Sequence, residues 1–396
     1  MTREPESKEN RWGGFGWVLA LIPLLLLGLV LAYLVATGGG LRELAGPPLE
    51  RVKIERITLP APGVIRLEVV NDGPQEVTIP QVLVDDAYWA YTVTPSNTLP
   101  RLGRATFTIP YPWVAEETHR VVLITSLGAT FEGEIAAAVV SPRPDASLFG
   151  RFALVGLYVG IVPVLLGMLW YPWMRRLSRP AMNFILSLTV GLLVFLAVGT
   201  YLDANEFAAQ LPAFWQGVPA VIFVALIALG ALLALGARQR GEVGALELSY
   251  RIALGIGLHN LGEGLAIGAA FALGEAALGT FLVLGFTLHN ITEGVGIAAP
   301  VVRKSPGLGH FALLCLVAGG PAILGVWIGG FAFSPVLATV FLAVGIGAIL
   351  QVVWEVGRLV ARDSAALGQP LVNWVNLAGL TAGIAVMYLT AFLVKF

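Results

Sequence analysis

Nine long apolar runs constrain this chain more than any other feature of its sequence. They cover residues 17–36, 150–173, 181–202, 213–237, 246–273, 276–302, 308–331, 335–360 and 372–394. A helix rises ~1.5 Å per residue, so roughly 20 apolar residues cross the ~30 Å hydrocarbon core of a bilayer. Since 57% of all residues are apolar and only 12% are charged, the sequence predicts a polytopic α-helical membrane protein.

The first apolar run, 17–36, follows a charged leader at 1–16. The apolar core of a cleaved signal peptide has ~7–15 residues, so this longer run is predicted to be a retained transmembrane anchor. The alternative is cleavage at the small residues Ala36-Thr37-Gly38.

Residues 45–145 have a different character, with short stretches that alternate apolar and polar side chains. The predicted strands are 51–57, 64–70, 76–84, 88–93, 105–109, 118–124 and 130–139. About seven short strands at this spacing favour a β-sandwich of immunoglobulin-like type. The label is architectural only, because the single cysteine of the chain, Cys315, excludes the Cys…Trp…Cys signature.

Basic residues in the short loops predict the orientation of the helices. Those at the predicted cytoplasmic side are Arg3, Lys8, Arg11, Arg175, Arg176, Arg179, Arg238, Arg240, Arg303, Lys304, Arg358 and Arg362. The loops near 203–212, 274 and 332–334 carry no Lys or Arg. By the positive-inside rule, 45–145 and the C-terminus are extracytoplasmic, and the predicted location is a bacterial or archaeal cell membrane.

Two copies of one motif lie in adjacent apolar runs, His259-Asn260-Leu261-Gly262-Glu263-Gly264 and His289-Asn290-Ile291-Thr292-Glu293-Gly294. An ionisable side chain at the centre of a bilayer costs at least ~2.5 kcal/mol, so such residues usually have a function. His and Glu four positions apart share one face of a helix. Imidazole and carboxylate together are ligands for divalent transition metals, so the motifs predict a metal site within the membrane.

The two motifs are placed symmetrically about Gly274, which lies 15 residues after His259 and 15 residues before His289. In an antiparallel hairpin that turns at Gly274, both imidazoles are expected at one depth. Glu263 and Glu293 then lie about 6 Å to either side of them along the membrane normal. Ligands spaced in this way along the membrane normal are compatible with an ion in transit as well as with a tightly bound ion.

These motifs resemble the paired signature of the ZIP (Zrt/Irt-like) family of divalent metal transporters, over roughly 150–396. The resemblance implies an eight-helix bundle, usually a homodimer, in which six helices surround the fourth and fifth. It also implies transport of zinc, iron, manganese or related ions toward the cytoplasm. By position, the implied metal ligands are His259, Glu263, His289 and Glu293. Asn260 and Asn290 match positions that help to build a second metal site in some members.

The sequence departs from the family pattern at three places. Gly262 and Thr292 stand where the family often has proline before the motif glutamate. Gly320, followed by Pro321, stands where many members have a glutamate that completes a binuclear centre. The loop 237–244 is short and lacks histidine. Without the additional carboxylate, we expect one tightly held metal per chain and a second site that is weak or empty.

Several other polar residues have two interpretations. Asn260 and Asn290 are either ligands or interhelical glue. Asp203 and Glu206 either gather cations at an entrance or belong to a solvated loop. Gln351 and Glu355 either belong to the ion pathway or pair near the cytoplasmic end of their helix. Glu247 and Arg251 are read as an i,i+4 pair, and His119 and His310 as ordinary polar residues.

Transport is therefore the leading functional prediction, with zinc the favoured substrate and Fe(II), Mn(II), Co(II) and Cd(II) also compatible with the ligands. An intramembrane metal-dependent hydrolase is the alternative, although no His-Glu-x-x-His occurs. A metal-sensing receptor is a third reading. We predict no enzymatic activity, no prosthetic group and, from the net charge of −1, no nucleic-acid partner. The expected partners are the metal ion, the bilayer, a second copy of the chain and an extracytoplasmic protein bound by the β-sandwich.

Overall fold

The structure is a computed structural model that describes residues 16–37, 50–141, 145–212, 215–237, 244–272, 276–332 and 334–394. The predicted leader, most of the loop 237–244, the turn at Gly274 and the terminal Lys395 lie outside the described residues. The chain forms two compact units, 1–50 and 51–396.

The first unit contains one described helix, α1 (Gly16–Thr37), which coincides with the predicted anchor at 17–36. Its side chains are apolar on all faces, and those between Leu21 and Leu34 include many that are more than half exposed. A helix that is apolar all round is typical of a membrane-embedded segment.

The second unit has a helical part after residue 145. Its helices are α2 (Ala146–Gly156), α3 (Val162–Met168), α4 (Tyr171–Met174), α5 (Arg179–Ala209), α6 (Gly217–Ala237), α7 (Ala245–Ala272), α8 (Ala276–Ala298), α9 (Leu308–Ala332), α10 (Pro335–Ala366) and α11 (Trp374–Val394). A π-helical turn at Leu157–Ile161 joins α2 to α3, so that α2–α4 form one span.

Within the described residues, seven helices are long and apolar enough to cross a membrane. They are α2–α4, α5, α6, α7, α8, α9 and α10, and each coincides with a predicted run. The prediction of a mostly helical chain with the long apolar helices of a polytopic membrane protein is confirmed to this extent. The last predicted run forms α11, a helix of 21 residues.

The motif-bearing α7 lies at the centre of the helical part. It packs against α8, α9 and α10, while α5 packs against α10 and α11, and α8 against α3. Small residues allow α7 and α9 to approach closely: a Cβ added at Gly325 would come 3.0 Å from the Cα of Gly264. Close backbone approach of this kind is how transmembrane helices gain packing energy.

The N-terminal part of the second unit is a β domain. Its strands are β1 (Val52–Ala61), β2 (Val64–Asn71), β3 (Val77–Thr78), β4 (Gln81–Val84), β5 (Ala87–Tyr88), β6 (Thr92–Thr94), β7 (Thr98–Leu99), β8 (Arg104–Pro110), β9 (His119–Ile124) and β10 (Thr130–Ile135). They form antiparallel sheets in the orders β1-β2-β8-β6, β10-β9-β4-β5 and β3-β7. The two larger sheets share one apolar core that includes Leu67, Phe107, Val84 and Leu123.

The sequence pattern located most of these strands but missed three details. The predicted strand 88–93 is divided into β5 and β6, which belong to different sheets. The predicted strand 76–84 is divided into β3 and β4 at Pro80, which lacks the N–H that a continuous ladder needs. The short β7 was not predicted, because two paired residues carry too little pattern to be seen.

The β domain contacts the helical part at the C-terminal end of α5. Lys53 Nζ donates hydrogen bonds to the carbonyl oxygens of Ala209 at 2.8 Å and Leu211 at 3.3 Å. The ends of α5 and α7 nearest this contact form what we call the β-domain end. The opposite end, where Arg179 begins α5 and Arg362 lies near the end of α10, is called the basic end.

Candidate metal centre

Helices α7 and α8 bring His259 and His289 together in the interior of the bundle. Their side chains are buried, and the centroids of the two rings are 6.4 Å apart. This proximity is what the equal spacing of the two histidines from Gly274 predicts for an antiparallel hairpin.

Glu263 joins the two imidazoles through one oxygen. Its Oε1 lies 2.8 Å from His259 Nε2 and 2.7 Å from His289 Nε2. The pair His259–Glu263 lies along one face of α7, whereas His289 reaches the same carboxylate from α8. Two imidazole nitrogens and a carboxylate oxygen therefore converge on one point, which is the donor set that a divalent transition metal selects.

Glu293 completes the cluster from α8. Its carboxylate and the two imidazoles each offer a ligand atom, and these atoms lie within 4.8 Å of one another. Both Glu293 oxygens and His259 Nδ1 are buried without a hydrogen-bond partner among the described residues. A buried carboxylate without a partner is unfavourable unless a cation or proton accompanies it. All four predicted ligands therefore surround one polar centre in an apolar bundle.

The two motif asparagines each bind a neighbouring helix. Asn260 Nδ2 donates to the carbonyl oxygen of Ala318 on α9, and Asn290 Nδ2 donates to that of Val159 in the π-helical turn, both at 2.9 Å. These hydrogen bonds hold neighbouring helices together, which is one of the two roles predicted for Asn260 and Asn290. Both side-chain oxygens are buried without a partner among the described residues, so they keep an acceptor for a ligand.

Sequence reasoning missed the acceptor at Val159, although a signal was present. An α-helical bond to this carbonyl would come from residue 163, and Pro163 has no N–H. Asn290 supplies a donor in its place. A proline in one apolar run and a polar side chain at similar depth in another can indicate such a pair.

Helix α8 is continuous across its motif, where Thr292 stands in place of the proline of the ZIP-like pattern. Thr292 keeps its backbone N–H, and its Oγ1 donates to the carbonyl oxygen of His289 at 2.6 Å. On α9, a Cβ added at Gly320 would meet only the side chain of Leu316 within 4 Å. Gly320 contributes no ligand, and it shares a helix face with the exposed Leu316 and Leu324, so this face points away from α7.

A cavity of about 420 Å³ extends from the metal centre toward the β-domain end. Glu263 and His289 line its inner part, and Asp203 lines it six residues before α5 ends. Most other lining side chains are apolar, including Phe195, Phe281, Phe286 and Met387. Of the two predicted entrance residues, Asp203 lines the cavity, whereas Glu206 is exposed and is not part of the lining.

The predicted pathway residues on α10 lie toward the basic end. Glu355 is buried and forms an ion pair with Arg251, with 3.6 Å between Oε1 and Nη1. Arg251 also pairs with Glu247, as the i,i+4 spacing predicts. No local pattern predicts the ion pair between Arg251 and Glu355, because it joins positions on different helices.

The remaining two histidines lie away from the centre. His119 Nδ1 lies 2.7 Å from Asp85 Oδ2 in the β domain, and His310 Nδ1 lies 2.9 Å from the Tyr250 hydroxyl. Burial opposes ionisation of Asp85, yet hydrogen bonds from Tyr111, a backbone amide and His119 outweigh it and lower the pKa of Asp85. The hydrogen bond to Asp85 raises the pKa of Tyr111 to about 12.

A scan against protein-family models found no match to this chain, and a search of curated proteins found no matching relative.

Proposed function

We propose that this chain transports divalent transition-metal ions across a membrane through the centre formed by His259, Glu263, His289 and Glu293. The observation that carries the proposal is the convergence of both Nε2 atoms on Glu263 Oε1, with Glu293 adjacent. The cavity that reaches Glu263 and His289 from the β-domain end supports a path to this centre.

Two features favour transport over intramembrane hydrolysis. A catalytic zinc site typically has three protein ligands, an open position for water and a separate general base. Here the four candidate ligands come as one His-and-Glu pair from each of two adjacent helices, and the sequence contains no His-Glu-x-x-His. Hydrolysis and metal sensing remain the alternatives that the flux experiment below distinguishes.

The finer features of the proposal follow from the sequence resemblance. The helical part at 150–396 is proposed to be a ZIP-like bundle that forms a homodimer, with import toward the cytoplasm. The β domain is proposed to be immunoglobulin-like and extracytoplasmic, where it serves docking, assembly or stability. Zinc is the proposed principal substrate, because imidazole and carboxylate ligands suit it and no Cys or Met lies among the four candidate ligands.

Replacement of a ligand tests the proposal. His259→Ala or Glu263→Ala removes one of the converging groups, so high-affinity flux of labelled zinc into proteoliposomes should fall at least ~10-fold, the change that a loss of ~1.4 kcal/mol in binding produces. The matched control is His310→Ala, which removes an exposed histidine at the start of α9.

Insertion and expression of each variant are compared with the wild type, so that a folding defect is recognised. Near-normal flux in His259→Ala and in Glu263→Ala would overturn the site assignment. Cleavage of a lipid or peptide by the wild type without metal flux would support hydrolysis instead.

A further inference from the structure

Arg251 joins three helices at the basic end. Its Nη2 donates to the carbonyl oxygen of Gly236 near the end of α6 at 2.7 Å and also contacts Glu247 on α7. Its Nη1 lies 3.6 Å from Glu355 Oε1 on α10. The side chains of Arg251 and Glu355 are 15% and 8% exposed, so this ion pair is largely removed from solvent.

This cluster lies directly in line with the metal centre. Positions 251, 255, 259 and 263 are each four residues apart, so they share one face of α7. Gly255 lies between Arg251 and His259 on this face, and a Cβ added there would come 2.6 Å from Gln351 Oε1. The carboxamide of Gln351 therefore fills the space between the metal centre and the ion pair.

One buried oxygen in this segment lacks a hydrogen-bond partner among the described residues. It is Gln351 Oε1, which belongs to a residue that is 3% exposed. Buried polar atoms in native proteins almost always have a hydrogen-bond partner, so an exception needs a physical explanation. Opening of this region to water would supply the missing partner.

We propose that Arg251, Glu247 and Glu355 form a lock that holds α7 against α6 and α10 and closes the basic end. This inference rests on the proposed function, since a lock has a purpose only if an ion must leave at that end. The cavity from the metal centre leads to the β-domain end, so the structure corresponds to the state in which the lock is closed.

The arrangement of the charges makes the lock reversible. Glu247 lies on the same helix as Arg251, so the guanidinium keeps one carboxylate when its contact with Glu355 breaks. The guanidinium also presents positive charge in line with the path of a departing cation. Separation of α7 from α10 removes this obstacle and hydrates Gln351.

Cysteine labelling tests the lock without any metal. The chain has one cysteine, so Cys315→Ala gives a cysteine-free background, and Val352→Cys places a buried reporter of similar size at the contact of α10 with Gly255 of α7. The rate of modification by a water-soluble maleimide is measured in metal-free proteoliposomes with reagent on both sides. Arg251→Met and Glu355→Gln should each raise this rate at least tenfold, whereas Arg362→Met, a matched change at an exposed residue of α10, should leave it unchanged.

The isosteric Glu355→Gln decides the question if Arg251→Met does not fold, as judged by gel filtration. An unchanged labelling rate in Glu355→Gln, or an equal rise in Arg362→Met, overturns the lock. Because labelling needs no transported ion, it is independent of zinc flux. A wild type without flux would count against the proposed function, while the labelling rates would still decide whether Arg251 closes this end.

Discussion

At the scale of residues, the same side chain takes different roles according to its neighbours. Glu263 accepts hydrogen bonds from two imidazoles, Glu293 is buried without such a partner, and Glu355 pairs with Arg251. A buried carboxylate is stable only when positive charge or donors surround it. Glu263 and Glu293 are therefore suited to bind a metal, whereas the carboxylate of Glu355 is already paired with Arg251.

The absence of a carboxylate at Gly320 is the basis of our prediction for the number of metal ions bound per chain. Two adjacent divalent ions repel each other, and no carboxylate from Gly320 is present to hold the second, so we expect about one tightly bound metal per chain. Gly320→Glu should leave the bound amount unchanged, because position 320 shares a helix face with Leu316 and Leu324, which are 57% and 51% exposed, and so points away from the centre. Elemental analysis of purified protein measures this.

The expectation fails if the wild type holds two metals at equal occupancy in anomalous scattering.

At the scale of elements, the site depends on helices that are irregular where they meet the motifs. The first span contains the π-helical turn Leu157–Ile161 next to Pro163, and α9 contains Pro321. Asn290 and Asn260 donate to carbonyl oxygens near these prolines. Each motif thus supplies metal ligands and also the donor that fixes a neighbouring helix.

A double-mutant cycle tests the pairing of Asn290 with the helix irregularity at Pro163. Asn290→Ala removes the donor to the carbonyl oxygen of Val159. The free energy of unfolding, measured in detergent without metal, should therefore fall by about 0.6–2 kcal/mol. In a Pro163→Ala background the new backbone N–H of residue 163 replaces that donor. Asn290→Ala should then lower the free energy of unfolding by less than it does in the wild type.

The matched cycle uses Asn205→Ala, since Asn205 Nδ2 donates within α5 to Tyr201 and is distant from Pro163 in the chain. In that cycle, the effects of Asn205→Ala and Pro163→Ala on the free energy of unfolding should be additive. Additive effects of Asn290→Ala and Pro163→Ala would show that the two residues do not share the carbonyl.

At the scale of the whole molecule, one lysine ties the β domain to a helix that lines the cavity. Lys53 caps the C-terminal carbonyls of α5, where the helix dipole favours a positive charge. Burial lowers the pKa of Lys53, while Asp72 and Glu55 act in the opposite direction. The contact lies six residues beyond Asp203, at the entrance side of the cavity.

Lys53→Met should therefore loosen the end of α5 and leave metal preference unchanged. Amide hydrogen exchange over residues 204–212 should become about fivefold faster, which corresponds to the roughly 1 kcal/mol that such a cap contributes. Arg51→Met, an exposed neighbour in the β domain, should have no such effect. Unchanged exchange in Lys53→Met, or an altered metal preference, would contradict this role.

The sequence by itself determined the features that depend on local pattern. Runs of about 20 apolar residues located the long helices, alternation located most strands, and i,i+4 spacing placed His259 and Glu263 on one face of α7. The spacing about Gly274 also predicted that His259 and His289 lie at one depth, because a hairpin converts equal separation along the chain into equal depth. These predictions rest on the fixed rise and period of helices and strands.

Only the tertiary structure decided which groups from different helices share a partner. It placed both imidazoles on one oxygen of Glu263, gave the Asn290 amide to Val159, paired Arg251 with Glu355, and set Lys53 on the end of α5. These contacts depend on the rotation and crossing of packed helices. Small residues such as Gly264 and Gly325 set that packing through contacts far apart in sequence, which no local period encodes.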